Sequence, residues 1–297
     1  MRENIYCIVL NWNGKHFLKN CLESILSSDY KNIGIVLVDN ASTDGSVAFV
    51  EKNYKRVKII ANKSNLGWTG GNNKGVKYAL KQKADAIFVL NNDTVITKNC
   101  ISQLSKILFS KESIGIVGPK IYLLDEKGKK TKTISFAGGR FTKNRYFGVH
   151  VGNNKKDTGK FEKVKESEYI TGAAILIKRK VFEKIGFFDD KYFIYYDESD
   201  FCLRARKTGF SIYIQPKAVA YHAFSGTVEV NSPFQKYYTT RNHYLFVERN
   251  APMRVKLREW LRTPKTAYEF IKKDFDRYSL LGIRDYYLRN FGKRRYW

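Results

Sequence analysis

Acidic side chains are scarce in this chain. Of its 297 residues 28 are Asp or Glu against 54 Lys or Arg, a formal net charge of +26. A field of that sign attracts polyanions, whether nucleic acid, an anionic membrane surface or phosphorylated small molecules, and by itself does not choose among them. Cysteine is also rare. Cys7, Cys21, Cys100 and Cys202 lie far apart and form no CxxC pair, which argues against a zinc site or a disulfide framework and for a reducing, cytoplasmic setting. Long hydrophobic runs are missing: no window reaches the roughly 18 uncharged apolar residues of a membrane span, and the apolar run in the opening "MRENIYCIVLNWNG" is too short for a secretory leader. Zinc-finger spacing and RNP-like stretches are absent too, and the basic residues are dispersed, so no specific nucleic-acid partner is expected.

What is present is a core. Hydrophobic residues make up 43% and aromatics 15%, enough for one large α/β domain, or one domain with an appendage, and too much for global disorder. Apolar runs alternate with segments of helical period: "IYCIVL" then 15–26, "IGIVLV" then 46–53, "VKII" then 72–81, "AIFVL" then 99–109, and finally "IGIVG". Strands that read as unbroken apolar runs are covered on both faces, and amphipathic connections between them indicate βαβ units. Residues 1–120 are therefore expected to form a doubly wound, mostly parallel sheet. In such sheets ligands bind beyond the carboxyl ends of the strands. The residues there are Asn11, Asp39 with Asn40, Asn62 with Asn65, and Asn91-Asn92-Asp93. Turn and helix-cap chemistry explains Asn or Asp at any one strand end; recurrence along one sheet edge points to a polar crevice. "LNWNGKHF" lacks the glycine-rich, Arg- and Lys-bearing phosphate loop with which a nucleotidyltransferase opens.

The segments "VLVDNASTDGS" (36–46), "NLGWTGGNNKG" (65–75), "LNNDT" (90–94) and "YITGAAILIKRKVFEKIGFFDDKYFIYYDESDFCLRARKTGF" (169–210) resemble, in the same order, the family 2 glycosyltransferases of GT-A fold, most closely the rhamnosyltransferase-type branch. The resemblance spans residues 5–249. It implies a Rossmann-like catalytic domain over 1–230, with a nucleotide-sugar half at 1–120 and an acceptor half at 121–230, followed by a helical C-terminal region at 231–297. It further implies an inverting transfer from a nucleoside-diphosphate sugar, dTDP-rhamnose or a UDP-hexose, to a hydroxyl of a glycan or polyprenyl-diphosphate-linked glycan, assisted by Mg²⁺ or Mn²⁺.

Site residues follow from the matched motifs. By this resemblance Asp39 reads the pyrimidine base, since a carboxylate accepts the imide N–H; Ser42 and Asp44 are better placed to cap the helix that follows. Gly67, Gly70, Gly71 and Asn73, with Asn65, form a donor loop ahead of a helix beginning near Asn72, where free N–H groups meet ribose or phosphate; a plain tight turn is the alternative. Asn11, Asn91 and Asn92 complete the donor side. "LNNDT" stands where the family keeps its DxD motif, so Asp93 is the expected metal ligand, with Asn91 and Asn92 replacing acids and lowering the local charge. His222, in "AYHAFSGT" just past a short strand at 219–221, fits a second ligand that several relatives supply. In "YYDESDF" the family's acid pair is inverted to Asp197-Glu198, which maps the general base onto Glu198 with Asp197 as fallback, the longer side chain displacing the carboxylate by about one C–C bond. Asp200 supports that helix or the acceptor pocket, and Thr171-Gly172 line the acceptor side.

Residues 122–165 are Lys-rich and glycine-bearing, and alternation in "TISFAGGRF" and "RYFGVHVG" suggests a hairpin-like insertion that flanks the acceptor and orders on binding. From 231 onward, helical segments such as "MRVKLREWLR" and "TAYEFIKKDFDRY" carry aromatic and aliphatic residues on one face and Arg and Lys on the other. Such helices suit a monotopic contact with anionic headgroups, placing a peripheral enzyme on the cytosolic face of the cell membrane; packing on the catalytic domain or on a second subunit is the other reading.

Overall fold

The computed structural model describes residues 3–223, 231–272 and 276–294. The expected domain boundary at 230, the part of "AYHAFSGT" beyond 223, and residues 295–297 of the basic C-terminus lie outside the described residues.

β1 (Ile5–Asn11), α1 (Lys15–Leu26), β2 (Ile33–Asp39), α2 (Ser46–Asn53), β3 (Val57–Ala61), α3 (Gly67–Lys81) and β4 (Ala86–Asn91) form the βαβ succession read from the apolar runs. Their strands lie in the order β4-β1-β2-β3, all parallel. β1 and β4 are buried almost throughout because both faces are covered, which is why they carry no polar alternation. α1 buries Leu18, Cys21, Leu22 and Ile25, at helical spacing on one face. A leucine so placed costs about 2–5 kcal/mol when cut to alanine. The four cysteines are free and buried, and burial pushes their thiols up out of the reactive range.

β5 (Thr94–Ile96), α4 (Cys100–Leu108) and β6 (Ile114–Leu124) follow. Residues 122–165 contribute β7 (Lys130–Phe136), the hairpin of β8 (Gly139–Phe141) with β9 (Gly148–His150), and β10 (Lys155–Lys156), and β11 (Lys165–Glu166) comes next. β12 (Ala174–Lys178) then enters antiparallel between β4 and β6. Its direction puts its first residues at the carboxyl end of β4: Ala174 pairs with Leu90, and the Asn91 N–H donates to the Ala173 carbonyl at 3.2 Å. Thr171 and Gly172 thereby arrive at the edge where β1, β2 and β4 end. α5 (Arg179–Ile185), α6 (Asp197–Lys207) and β13 (Ser211–Ala223) complete this part. The short strand expected at 219–221 is the end of β13, whose length comes from pairing with both β6 and β5.

α7 (Pro233–Asn250), α8 (Met253–Lys272) and α9 (Arg277–Tyr287) make up the C-terminal region. α7 opens with Ser232, whose hydroxyl accepts from Gln235 N–H at 3.3 Å, and with Pro233 in its first turn, both common at helix starts. Tyr244, Leu245 and Phe246 of α7 and Ile283 and Tyr286 of α9 belong to the same apolar core as the sheet. The two readings of the tail therefore divide by helix: α7 and α9 pack onto the catalytic part, while α8 leaves Met253, Leu257, Leu261, Tyr268 and Ile271 exposed. Among the described residues no helix is long and apolar enough to cross a membrane.

Candidate active site

The crevice floor is a chain of hydrogen bonds between strand ends. Asn11 is fully buried; its amide donates to Asp39 Oδ1 at 2.9 Å and to Ser42 Oγ at 3.1 Å, and its Oδ1 accepts from Asn92 Nδ2 at 2.6 Å. Asp39 Oδ2 accepts from Ser42 N–H at 2.8 Å. Each Asp39 oxygen thus carries one internal bond and has the capacity to accept a second. Asn13, in left-handed backbone at φ +51, takes the Thr43 N–H at 2.8 Å, which clasps the loops after β1 and β2 together. A Cβ on Gly14 would stand 2.0 Å from Asn92 Nδ2, so any larger residue would displace the Asn92 amide from Asn11. Trp12, between these groups, is 41% exposed. A large apolar ring left open at the rim of a polar crevice is a flat surface for a planar ligand, and its place one residue beyond an apolar run was a signal that sequence reasoning passed over.

The glycine-rich segment behaves otherwise than expected. α3 begins at Gly67, not near Asn72, so Gly70, Gly71 and Asn73 lie inside the helix. Gly67 has φ +72, and a Cβ on it would meet the Phe193 carbonyl at 2.3 Å; one on Gly71 would meet Leu10 at 2.4 Å, and one on Gly70 would meet Leu66 Cβ at 2.9 Å. Close packing within the protein accounts for all three, with no ligand needed. The helix N-terminus is also partly occupied: Gly67 N–H donates to Asn65 Oδ1 at 2.8 Å and Thr69 N–H to the Phe193 carbonyl at 3.3 Å. Asn65 therefore shapes the entry to α3, assisted by Asn40, whose amide reaches Asn65 Oδ1 at 3.2 Å. Asn73 faces away from the crevice, its amide donating to the Phe188 carbonyl and Asp190 Oδ1 at 2.9 Å each. Trp68 bridges the two halves, donating from Nε1 to Asn91 Oδ1 at 3.1 Å and lying where a Cβ on Gly172 would have to be.

Asp93 and His222 meet. β13 pairs with β5 so that His222 lies opposite Thr94, which brings His222 Nε2 within 3.1 Å of Asp93 Oδ1. Both atoms are buried, and the contact lies within ion-pair distance though outside strict hydrogen-bond geometry; among the described residues neither atom has another hydrogen-bond partner. A carboxylate oxygen and an imidazole nitrogen at this separation could hold a common divalent cation when His222 is neutral, and form an ion pair when it is protonated. Among the described residues no three His, Cys, Asp or Glu groups cluster as a complete metal cage, so these two leave most of a coordination sphere to a ligand's oxygens and water. Burial works against the His222 cation, but the adjacent Asp93 charge outweighs it and raises the pKa. Asp93 also opens on a groove of about 1350 Å³ between α1 and the turn at 125–130.

The acids of α6 divide by environment. Asp197 is buried; its Oδ1 accepts from the Glu198 N–H at 3.1 Å and its Oδ2 has no partner. Burial first, and the Glu198 charge second, push its carboxyl well above the usual range. Glu198 is the more exposed of the pair. Asp200 supports its helix, one of its two expected roles: it takes bonds from Tyr192 OH at 3.1 Å, Arg204 Nε at 2.8 Å and Asn250 Nδ2 at 2.8 Å, and so ties α6 to α7. His150, at the end of β9, was not found from sequence. Burial dominates its lowered pKa, with the Glu198 charge opposing and the His222 charge adding to that shift. Nothing in the alternation of "RYFGVHVG" announced that neighbour.

The sheet has a polar edge with a converging Asp–His couple, and a helix of the same domain opens on two acids; comparison with known proteins gives the family. The family model described as "Glycosyl transferase family 2" matches residues 6–186. A "dTDP-rhamnosyl transferase RfbF" of Shigella flexneri is 25% identical over 300 residues, covering 92% of this chain and 93% of its own. An "N-acetylglucosaminyl-diphospho-decaprenol L-rhamnosyltransferase" of Mycobacterium tuberculosis is 25% identical over 244 residues, 76% of this chain and 78% of its own. Among solved structures, a mannosyltransferase of Pyrobaculum calidifontis in complex with GDP-Man and Mn²⁺ superposes with a TM-score of 0.61 at 14% identity, over 98% of this chain and 88% of that one, a likeness of fold. With the matched region covering the strand edge, Asp93 and β12, the chain belongs to glycosyl transferase family 2 and is a glycosyltransferase of GT-A fold.

Proposed function

We propose that the protein is an inverting transferase that moves a sugar from dTDP-rhamnose or a UDP-hexose to a hydroxyl of a glycan or polyprenyl-diphosphate-linked glycan, with Mg²⁺ or Mn²⁺ bound during turnover. The observation that carries this reading is the convergence of two buried groups at the strand edge, Asp93 Oδ1 and His222 Nε2, 3.1 Å apart. A divalent cation held by those two atoms supplies charge neutralisation for the donor's diphosphate. The names of the Shigella and Mycobacterium relatives support a dTDP-sugar donor and a lipid-diphosphate acceptor.

The chain's own groups do the rest. Asp39, with a lone pair to spare on each oxygen, accepts the base N–H, and Trp12 offers its exposed face to the ring. Asn11, Asn91 and Asn92 hold the crevice edges in one geometry before the donor arrives. Glu198 takes the proton of the acceptor hydroxyl as that oxygen forms its bond to C1; the bond from C1 to the diphosphate breaks on the opposite face, and the leaving oxygen keeps the electron pair. Asp197, buried where Glu198 is partly open, is the less accessible of the two to an acceptor hydroxyl. Thr171 and Gly172, beside Trp68 and Asn91, border the acceptor.

The test is donor turnover, measured as nucleoside diphosphate released from dTDP- and UDP-sugars in the presence of a synthetic polyprenyl-diphosphate N-acetylglucosamine. Glu198→Gln is expected to lower kcat by about 10²–10⁴, the usual contribution of a general base, and the product's anomeric configuration is expected to be opposite to the donor's. A product that retains the donor's configuration would refute the inverting mechanism.

A further inference from the structure

The stretch that leads into α6 is held in backbone that side chains seldom adopt: φ is +67 at Phe193, +66 at Tyr195 and +67 at Tyr196. Left-handed backbone costs a non-glycine residue about 1–2 kcal/mol and persists only where the surroundings impose it. Here the imposing groups come from α7. Arg241 Nη2 donates to the carbonyls of Lys191 at 3.1 Å and Tyr192 at 3.0 Å, while its Nη1 donates to Gly292 at 2.8 Å. The Asn242 amide lies 2.9 Å from the Tyr192 carbonyl, 2.6 Å from that of Ile194 and 3.1 Å from that of Tyr195, and its Oδ1 accepts from Arg241 Nε at 3.0 Å.

Both side chains are buried, 1% and 0% exposed. Burying a guanidinium is costly unless its donors are satisfied. The hydrogen bonds described for Arg241 end on carbonyl, amide or phenol oxygens, so its fork serves to hold backbone instead of neutralising an acid. The arch has two working ends. The Phe193 carbonyl receives the Thr69 N–H in the first turn of α3, and Tyr196 precedes Asp197 directly.

We propose that Arg241 and Asn242 are positioning residues for glycosyl transfer: by fixing the left-handed arch they set the Asp197–Glu198 pair at a defined distance from the donor side. This rests on the reading of that pair as the site of proton acceptance. A displacement near 1 Å at such a group costs about a hundredfold in rate, so the expected signature is a loss of kcat with donor binding spared.

Asn242→Ala is predicted to lower kcat by about 10- to 100-fold while the donor KM stays unchanged. Adding Tyr195→Gly to Asn242→Ala should recover much of the lost kcat, because glycine takes φ near +66 without strain. A side chain that merely filled the core would not be rescued by a glycine elsewhere. Arg241→Lys, which keeps the charge but loses the fork, serves if Asn242→Ala does not fold, with the same glycine rescue. Wild-type kcat in these variants, or loss of kcat without rescue, would overturn the proposal. Glu198→Gln measured alongside separates the claims: full activity there counts against the acid pair alone, whereas failed rescue counts against the arch.

Discussion

Asp197 shows how one buried side chain couples chemistry to stability. Its pKa in the folded protein lies well above the ordinary value of 3.8 through burial and then the Glu198 charge. As pH rises past 3.8, the unfolded chain releases this proton while the folded chain keeps it, so the folded state binds more protons and stability falls with rising pH up to the folded pKa. Asp197→Asn removes that penalty. The variant should gain Tm over the parent at pH 7 and gain less at pH 4, as scanning calorimetry at the two values would show; an equal gain at both would contradict the assignment. At this scale the sequence was informative where chemistry and place coincide. Asn11, Asp39 and Asp93 stand at the ends of apolar runs, and a run's end is visible without a structure. Asn73 binds within the protein, and its partners, Phe188 and Asp190, lie far along the chain; Asp200 supports its helix through Arg204, one of its two expected roles, and only its distant partner Asn250 was out of sight. His150 and Asn242 share that difficulty.

The elements were legible in proportion to how local their causes are. β1 to β4, α1 and α2 follow from unbroken apolar runs and helical spacing. α3 was legible only from Asn72 onward, because its first five residues carry three glycines and read as a loop on propensity alone. Tertiary packing overrides it: the helix comes so close to Leu10 and Phe193 that only glycine fits. Gly67→Ala should therefore cost more than the roughly 1–2 kcal/mol of left-handed backbone, since the new Cβ also strikes the Phe193 carbonyl. Urea unfolding should show a lower midpoint at unchanged slope, and an unchanged midpoint would mean that the Phe193 segment yields easily. β12 was readable as a strand, but its antiparallel direction depends on the whole insertion before it. That direction carries Thr171 and Gly172 to Asn91.

For the molecule as a whole, the question is what its positive field and the exposed apolar face of α8 serve. α8 is anchored from inside by Glu259, which takes a bidentate contact from Arg145 at 2.9 and 3.0 Å. Its outer face carries Leu257, Leu261, Tyr268 and Ile271 between basic residues. The expected outcome is flotation with anionic vesicles, weakened by high salt and lost in Leu257→Asp with Leu261→Asp, while turnover of a water-soluble acceptor is unaffected. Flotation that survives the double substitution would assign the contact to another surface.

The central claim is a donor site built from Asp39 and the Asp93–His222 pair, and a thermal-shift comparison of UDP, dTDP, GDP and CMP with and without Mn²⁺ tests it most directly. A ligand at a hundred times its Kd stabilises the folded state by about 2.7 kcal/mol, a visible rise in Tm. The account predicts that UDP or dTDP raises Tm only with Mn²⁺, and that Asp93→Ala abolishes the rise. An equal shift without Mn²⁺, or one that persists in Asp93→Ala, would contradict it.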